Sequence, residues 1–308
     1  MNKNREKKRI SKTIFILMLV GINSISQAQN TPEEIIVIGV VPSGLGVARD
    51  KIPFPVQSGD AEDLQRTGAD SVADFMNQNF SNVTLNDAQN NPLQPDLQYR
   101  GFTASPLLGL AQGIAIYQNG ARINEPLGDT VNWDLMPQSA IKEITLIGGA
   151  NPLFGLNALG GSLAVRMKTG FDVEGTSVQL TTGAFGRRQA AVESGNTIEL
   201  RASQVSYYIN VEHFEENGWR DHSASEATNA YASLAWKNVK GTGNIYYQNG
   251  DSDLTGNGAS PVELLATNRA AIFTGPDVTS NNMQMFGGDF NFSPNELNSF
   301  SGNFFCNF

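Results

Sequence analysis

Beyond residue 175 the apolar and polar positions of the chain alternate with a period of two. Val205, Tyr207, Ile209 and Val211 interleave with Ser206, Tyr208, Asn210 and Glu212. Ala232, Leu234 and Trp236 do the same against mostly more polar neighbours, and Phe286, Gly288, Phe290 and Phe292 against Gly287, Asp289 and Asn291. Phe300, Gly302, Phe304, Cys306 and Phe308 continue the pattern, with Phe305 the exception. The alternation predicts strands over 176–184, 189–195, 203–213, 229–239, 242–249, 283–292 and 298–308, each with one apolar and one polar face. A soluble sandwich alternates as well. The joins separate the two: 240–241 and 293–297 are short, whereas 214–228 and 250–282 are long and rich in Gly, Asn and Asp. Short turns at one end and long loops at the other describe a transmembrane barrel, although the short join at 184–188 falls at the long-loop end.

The stretch 58–170 reads as mixed α/β. Asp60 can cap a helix over 61–66 that Gly68 ends, and Asp70 can cap a second, in which Val72, Phe75 and Met76 share a face. Extended pieces follow at 82–85, 96–100, 113–117, 141–147 and 162–168, and Asn119-Gly120 is a hairpin turn. Ahead of this block, 40–57 reads as a linker broken by Pro42, Gly44, Gly46, Pro53 and Pro55.

Composition adds an address and removes several functions. Six cationic residues up to Lys12, an apolar core over 14–22 and Ser26-Gln27-Ala28 make a signal peptide, cleaved after Ala28. The apolar core is too short for a span of about twenty residues. The mature chain keeps 15 Lys+Arg against 29 Asp+Glu, a net charge of −14, which excludes the basic footprint of a nucleic-acid binder. The lone Cys306 permits no internal disulfide, and His213 and His222 are isolated, without metal-site spacing. There is no Ser/His/Asp, paired-carboxylate or metal constellation, so an enzyme is not expected.

Taken in order, the motifs of residues 34–170 resemble those of TonB-dependent outer-membrane receptors. Glu34-Ile35-Ile36-Val37-Ile38-Gly39 is similar to the TonB box. Leu97-Gln98-Tyr99 leads into Arg100-Gly101-Phe102, similar to the Arg-Gly-Phe motif of the plug domain, and 115–120 resembles the next strand and turn, with Asn119 before Gly120 in place of Asp. Residues 151–161, with Gly155, Gly160 and Gly161, resemble the motif that closes the plug. The family's Arg-Gly-Pro before that motif is here Ile147-Gly148-Gly149, so the arginine and proline are missing.

The resemblance implies an α+β plug domain followed by antiparallel transmembrane β-barrel strands, the barrel incomplete. It implies a signal peptide over 1–28, TonB box and linker over 29–57, plug over 58–170 and partial barrel over 171–308. The expected partners are the TonB periplasmic domain at 34–39 by strand addition, outer-membrane lipid, and a small ligand such as a metal chelate, by default a ferric siderophore. No cofactor is implied. Candidate ligand contacts are Arg100, Trp219, Arg220 and His222, in the 100–106 loop and the long loops, with Asp251 beside them. Arg100 is expected to pair with a barrel carboxylate. About seven strands cannot enclose such a plug, so the chain reads as a truncated fragment. The alternative is an exported, surface-associated β-rich binding module without transport activity.

Overall fold

The computed structural model describes residues 53–308 except 88, 151 and 296, together with Val37–Ile38 and Val47–Ala48. The expected signal peptide over 1–28 lies outside these residues. β1 (Val37–Ile38) and β2 (Val47–Ala48) pair antiparallel as a two-stranded sheet of their own.

The inner domain begins with β3 (Val56–Asp60), so Val56 and Gln57 belong to a strand rather than to the linker. Proline at 53 and 55 hides an edge strand that starts immediately afterwards. α1 (Ala61–Thr67) has the Asp60 cap expected of it: Asp60 accepts from the Asp63 amide, and Gly68, at φ 61°, ends the helix. α2 (Val72–Asn79) is capped by Ser71, whose hydroxyl accepts from the Asp74 amide, and not by Asp70. Its predicted face holds, with Val72, Phe75 and Met76 buried.

β4 (Val83–Asn86), β5 (Asp96–Tyr99) and β6 (Phe102–Ala104) form a three-stranded sheet. β7 (Ile114–Gln118), β8 (Ala121–Arg122), β9 (Ile141–Gly148) and β10 (Gly161–Met167) join β3 in the order β3-β9-β10-β7-β8, parallel only between β10 and β7. α2 packs its apolar face on Ile144, Leu146, Leu163 and Val165 of this sheet. Asn119 and Gly120 both take positive φ (47° and 80°), as the tight β7–β8 hairpin requires.

The wall is a seven-stranded antiparallel meander: β11 (Gly175–Thr182), β12 (Arg188–Leu200), β13 (Ser203–Glu216), β14 (Ser225–Asn238), β15 (Gly241–Gly256), β16 (Asp277–Asn295) and β17 (Asn298–Asn307). All seven expected strands are present, and most run longer, so the long loops shrink to 217–224 and 257–276. The opposite end carries two-residue turns at 201–202 and 239–240 and the short join between Asn295 and Asn298. Asparagine shapes the last two of these: the Asn238 carboxamide oxygen accepts from the amides of Lys240 and Gly241, and that of Asn295 from Leu297 and Asn298.

The period-two alternation sorts the side chains as expected. Ser206, Tyr208, Asn210 and Glu212 are buried against the inner domain, while Tyr207, Ile209 and Val211 face out with Leu234, Trp236, Ile245, Tyr247, Phe286 and Phe290. This apolar band ends at one rim in Arg188, Glu215, Glu226 and Asp253, paired in line across β12 to β15. No helix among the described residues is long and apolar enough to cross a membrane.

Gly161 tests the packing of the inner sheet. Its φ is 145°, and a Cβ there would stand 2.1 Å from the Ile147 carbonyl oxygen. Gly161→Ala is expected to cost about 3 kcal/mol or more, combining overpacking and backbone strain. Gly258→Ala, with open space at its Cβ, is expected to be near neutral. Protease susceptibility of the inner domain checks both.

Candidate functional site

The chemistry of this chain gathers where the inner domain meets the wall. Tyr208, Tyr231 and Tyr246 from β13, β14 and β15 stack in a row, with ring centroids 6.2 and 6.0 Å apart. Their rings join the inner-domain core and leave the hydroxyls to polar partners: Tyr208 donates to Glu193 (2.8 Å), and Tyr231 accepts from Asn119 Nδ2 (3.1 Å). The Gly120 carbonyl accepts from Asn303 Nδ2 of β17 (2.8 Å).

Two short turns of the inner domain are gripped more firmly. Residues Gln138–Ala140 form a 3-10 turn whose first two amides donate to Glu212 Oε1 and Oε2, both at 3.0 Å, and the Ser139 hydroxyl adds a third bond (2.6 Å). A buried carboxylate is thus matched by the free amides of a turn rather than by a cation. The 3-10 turn Trp133–Leu135 presses into β14, β15 and β16. Asn229 Nδ2 donates to the Asp134 carbonyl (2.9 Å) and Gln248 Nε2 to that of Leu135 (2.8 Å). At about 0.5–1.5 kcal/mol net for each bond, these polar contacts hold the domain without fusing it to the wall.

Ion pairs complete the seat. Lys168, after β10, pairs with Glu193 of β12 at 2.8 Å. Arg187, in the 183–187 turn, pairs with both Asp70 of the inner domain and Glu216 of β13, and lies 5.7 Å from the Phe214 ring centroid. Burial works against its charge, but the two carboxylates hold the guanidinium above its ordinary pKa. Here the ionic clasp puts its arginine on the wall and its aspartate on the inner domain, the reverse of the arrangement expected for Arg100. Asp70 is committed to this pair, while Ser71 caps α2.

Arg100 itself is exposed, 5.2 Å from the centroid of the Tyr99 ring, and has no carboxylate partner among the described residues. With φ 52° at Arg100 and 86° at Gly101, the pair forms the turn between β5 and β6. Phe102 meets the later motif: a Cβ at Gly160 would lie 2.5 Å from the Phe102 Cβ, so the glycine is needed for this approach. Gly155 (φ 75°) follows Phe154, whose carbonyl accepts from the Tyr117 hydroxyl. Of the 34–39 segment only Val37 and Ile38 are described, and Glu34, Ile35, Ile36 and Gly39 lie outside.

Among the loop candidates, Arg220 is buried, not at the loop surface. It is only 9% exposed and braces the 257–276 loop through the carbonyls of Gly258 and Ala271 and the hydroxyl of Ser260. A charge in a Gly/Asn-rich loop reads as surface, but this one is a strut. Trp219, 39% exposed, lies between Arg220 and Arg269, 5.7 and 5.8 Å from its ring centroid. His222 is exposed with φ 53°. Asp251 lies within β15 on the outward face, not in a loop.

Arg187→Met strips the counter-charge from Glu216, whose side chain is 6% exposed, and is expected to cost about 2–3 kcal/mol. Asp70→Asn, at a half-exposed carboxylate, is expected to cost about 1 kcal/mol or less. Hydrogen exchange of the α2 amides reads both, with at least tenfold faster opening for Arg187→Met and a smaller change for Asp70→Asn.

Comparison with known proteins accounts for this two-part build. The family model for the TonB-dependent receptor plug domain matches residues 48–162. Among solved structures, the ferric citrate transporter FecA in its unliganded form aligns with TM-score 0.65 at 14% identity, over 83% of this chain and 40% of that one. The open form of the ferric-catecholate import receptor Fiu from E. coli K12 aligns with TM-score 0.62 at 13% identity, over 83% and 38%. The ferripyoverdine receptor of the outer membrane of Pseudomonas aeruginosa, bound to ferripyoverdine, gives 0.61 at 10%, over 82% and 35%. At these identities the likeness concerns fold, and the chain spans 40% or less of each of these structures. The inner domain matches the plug domain of TonB-dependent receptors, and plug and meander together have the fold of a receptor plug with part of its barrel wall.

Proposed function

We propose that this chain is the plug-bearing part of an outer-membrane receptor that takes up a scarce metal chelate, by default a ferric siderophore, under the pull of TonB. One observation carries the reading: a folded plug is seated on the inner face of a barrel wall by a row of tyrosines together with many polar side chains and ion pairs. The polar contacts are individually modest, which suits a domain that must stay seated and yet move.

Three assignments complete the proposal. The signal peptide over 1–28 exports the chain. Within 29–57, the segment Glu34-Ile35-Ile36-Val37-Ile38-Gly39 offers its main chain to the TonB periplasmic domain as an added strand. The plug over 58–170 and the wall over 171–308 then carry ligand and lipid contacts respectively. The outward band around Ile209 faces lipid, and the acidic rim at Glu215, Glu226 and Asp253 stands at the end with the longer loops. Arg100, Trp219 and His222 are the exposed ligand candidates, with Arg220 as their support. No catalytic step is assigned. An exported binding module without transport would have no use for the outward apolar band.

Two measurements test the proposal. Val37→Pro removes a backbone donor from the added strand and is expected to weaken capture of a purified TonB periplasmic domain at least tenfold; unchanged capture contradicts the assignment. Ile209→Arg puts a charge in the lipid-facing band and is expected to cost about 2–4 kcal/mol in vesicles, whereas Glu226→Lys at the rim leaves assembly unchanged. Equal tolerance of both would place the band in water.

A further inference from the structure

The Trp133–Leu135 turn of the plug lies against three wall strands at once. Asp134 at its centre is 2% exposed. Its Oδ2 accepts from Ser252 Oγ (2.5 Å) and Asn281 Nδ2 (3.0 Å). Its Oδ1 is buried without a donor among the described residues, and so is Oδ1 of Asn229, the residue that holds the Asp134 carbonyl. Asp134 and Asn229 line one small cavity of about 30 Å3 together with Trp133, Asp70, Glu212 and His213, and no lysine or arginine lines it.

Two buried acceptors without a donor on one small cavity, and a carboxylate without a counter-ion, make ionisation of Asp134 costly here. The other titratable groups around the site have partners of their own. Asp70 is matched by Arg187, Glu212 is a second buried carboxylate, and His213 hydrogen-bonds Thr228 and also lies 4.0 Å from Glu226. On β15 the neighbouring acids Asp251 and Asp253 are exposed on the opposite face, and on β16 Asp277 is exposed at the strand end. An ionised Asp134 would therefore add a buried charge to an already negative site, at a cost that ordinarily drives such a group neutral.

We propose that Asp134 is a proton-binding site: it holds a solvent-derived proton on Oδ1 while the plug is seated. This rests on the plug-and-wall reading but not on TonB or on the ligand. Burial pushes the Asp134 carboxyl above its ordinary range, opposed in part by its hydrogen bonds from Ser252 and Asn281. The sign follows from the raised value. Below the ordinary carboxylate range Asp134 is protonated whether seated or released, and the seat is strongest. As pH climbs from that range through the raised value, the released plug gives up its proton more readily, and seating weakens. Proton binding at this one residue thus tunes how firmly the plug sits.

Asp134→Asn is the decisive substitution, because the amide, like the protonated acid, is neutral, carries a donor at one terminus and keeps a carbonyl that accepts from Ser252 and Asn281. The full 308-residue chain in lipid vesicles is measured by hydrogen exchange over 131–137, corrected for intrinsic pH dependence. The natural chain is expected to open at least tenfold faster at pH 9 than at pH 5, and the Asp134→Asn chain equally slowly at both. Infrared spectra of the natural chain carrying isotope-labelled aspartate are expected to show a buried carboxylic-acid C=O band at pH 6, which needs no variant to fold. A carboxylate band alone at pH 6, or Asp134→Asn opening as fast as Asp134→Ala at both pH values, overturns the proposal. Failure of the receptor reading would appear instead as absent TonB capture, with both of these readouts intact.

Discussion

Each wall strand has two faces that must satisfy different surroundings, and the rest of the structure depends on that division. Because successive side chains point to opposite sides, a slip of one residue would carry Tyr208, Asn210 and Glu212 outward and bring Tyr207, Ile209 and Val211 against the plug. Glu212 would then lose the turn amides of Gln138 and Ser139. Register, plug seating and the outward apolar band are therefore a single choice.

The seat combines interactions of different strength. The tyrosine row supplies apolar area, since its rings join the plug core, and its hydroxyls stay in the polar network. Glu212, Asn229, Gln248 and Asn303 reach main-chain groups of three plug turns, so the grip depends on the backbone path more than on plug side chains. Arg187 adds the ion pair nearest the rim. Releasing such a plug means breaking these polar contacts together with exposing the apolar area of the tyrosine row.

Much of this was legible in the sequence where the signal is local. Period two placed the seven wall strands and named the buried faces of the central ones, β13 to β15, and Val72, Phe75 and Met76 placed the α2 face. Asn119-Gly120 marked its hairpin by its backbone preference. What escaped depends on distant partners. The Trp133–Leu135 turn shows no periodicity, and its meaning comes from Asn229, Ser252 and Asn281, 95 to 147 residues away. Asp70 and Ser71 are both good caps, and in the structure Ser71 caps the helix while Asp70 pairs with Arg187 on the wall. Arg100 and Arg220 look alike as loop cations, yet one is a turn residue on the surface and the other a buried strut.

The most direct test is a nitroxide scan along 203–216 in a Cys306→Ser background, in lipid vesicles, comparing contact with oxygen and with a water-soluble relaxation agent. The division of faces predicts strict alternation: 205, 207, 209 and 211 reached by oxygen from lipid, and 206, 208, 210 and 212 shielded from both agents by the seated plug. Equal access to the water-soluble agent at odd and even positions would contradict it.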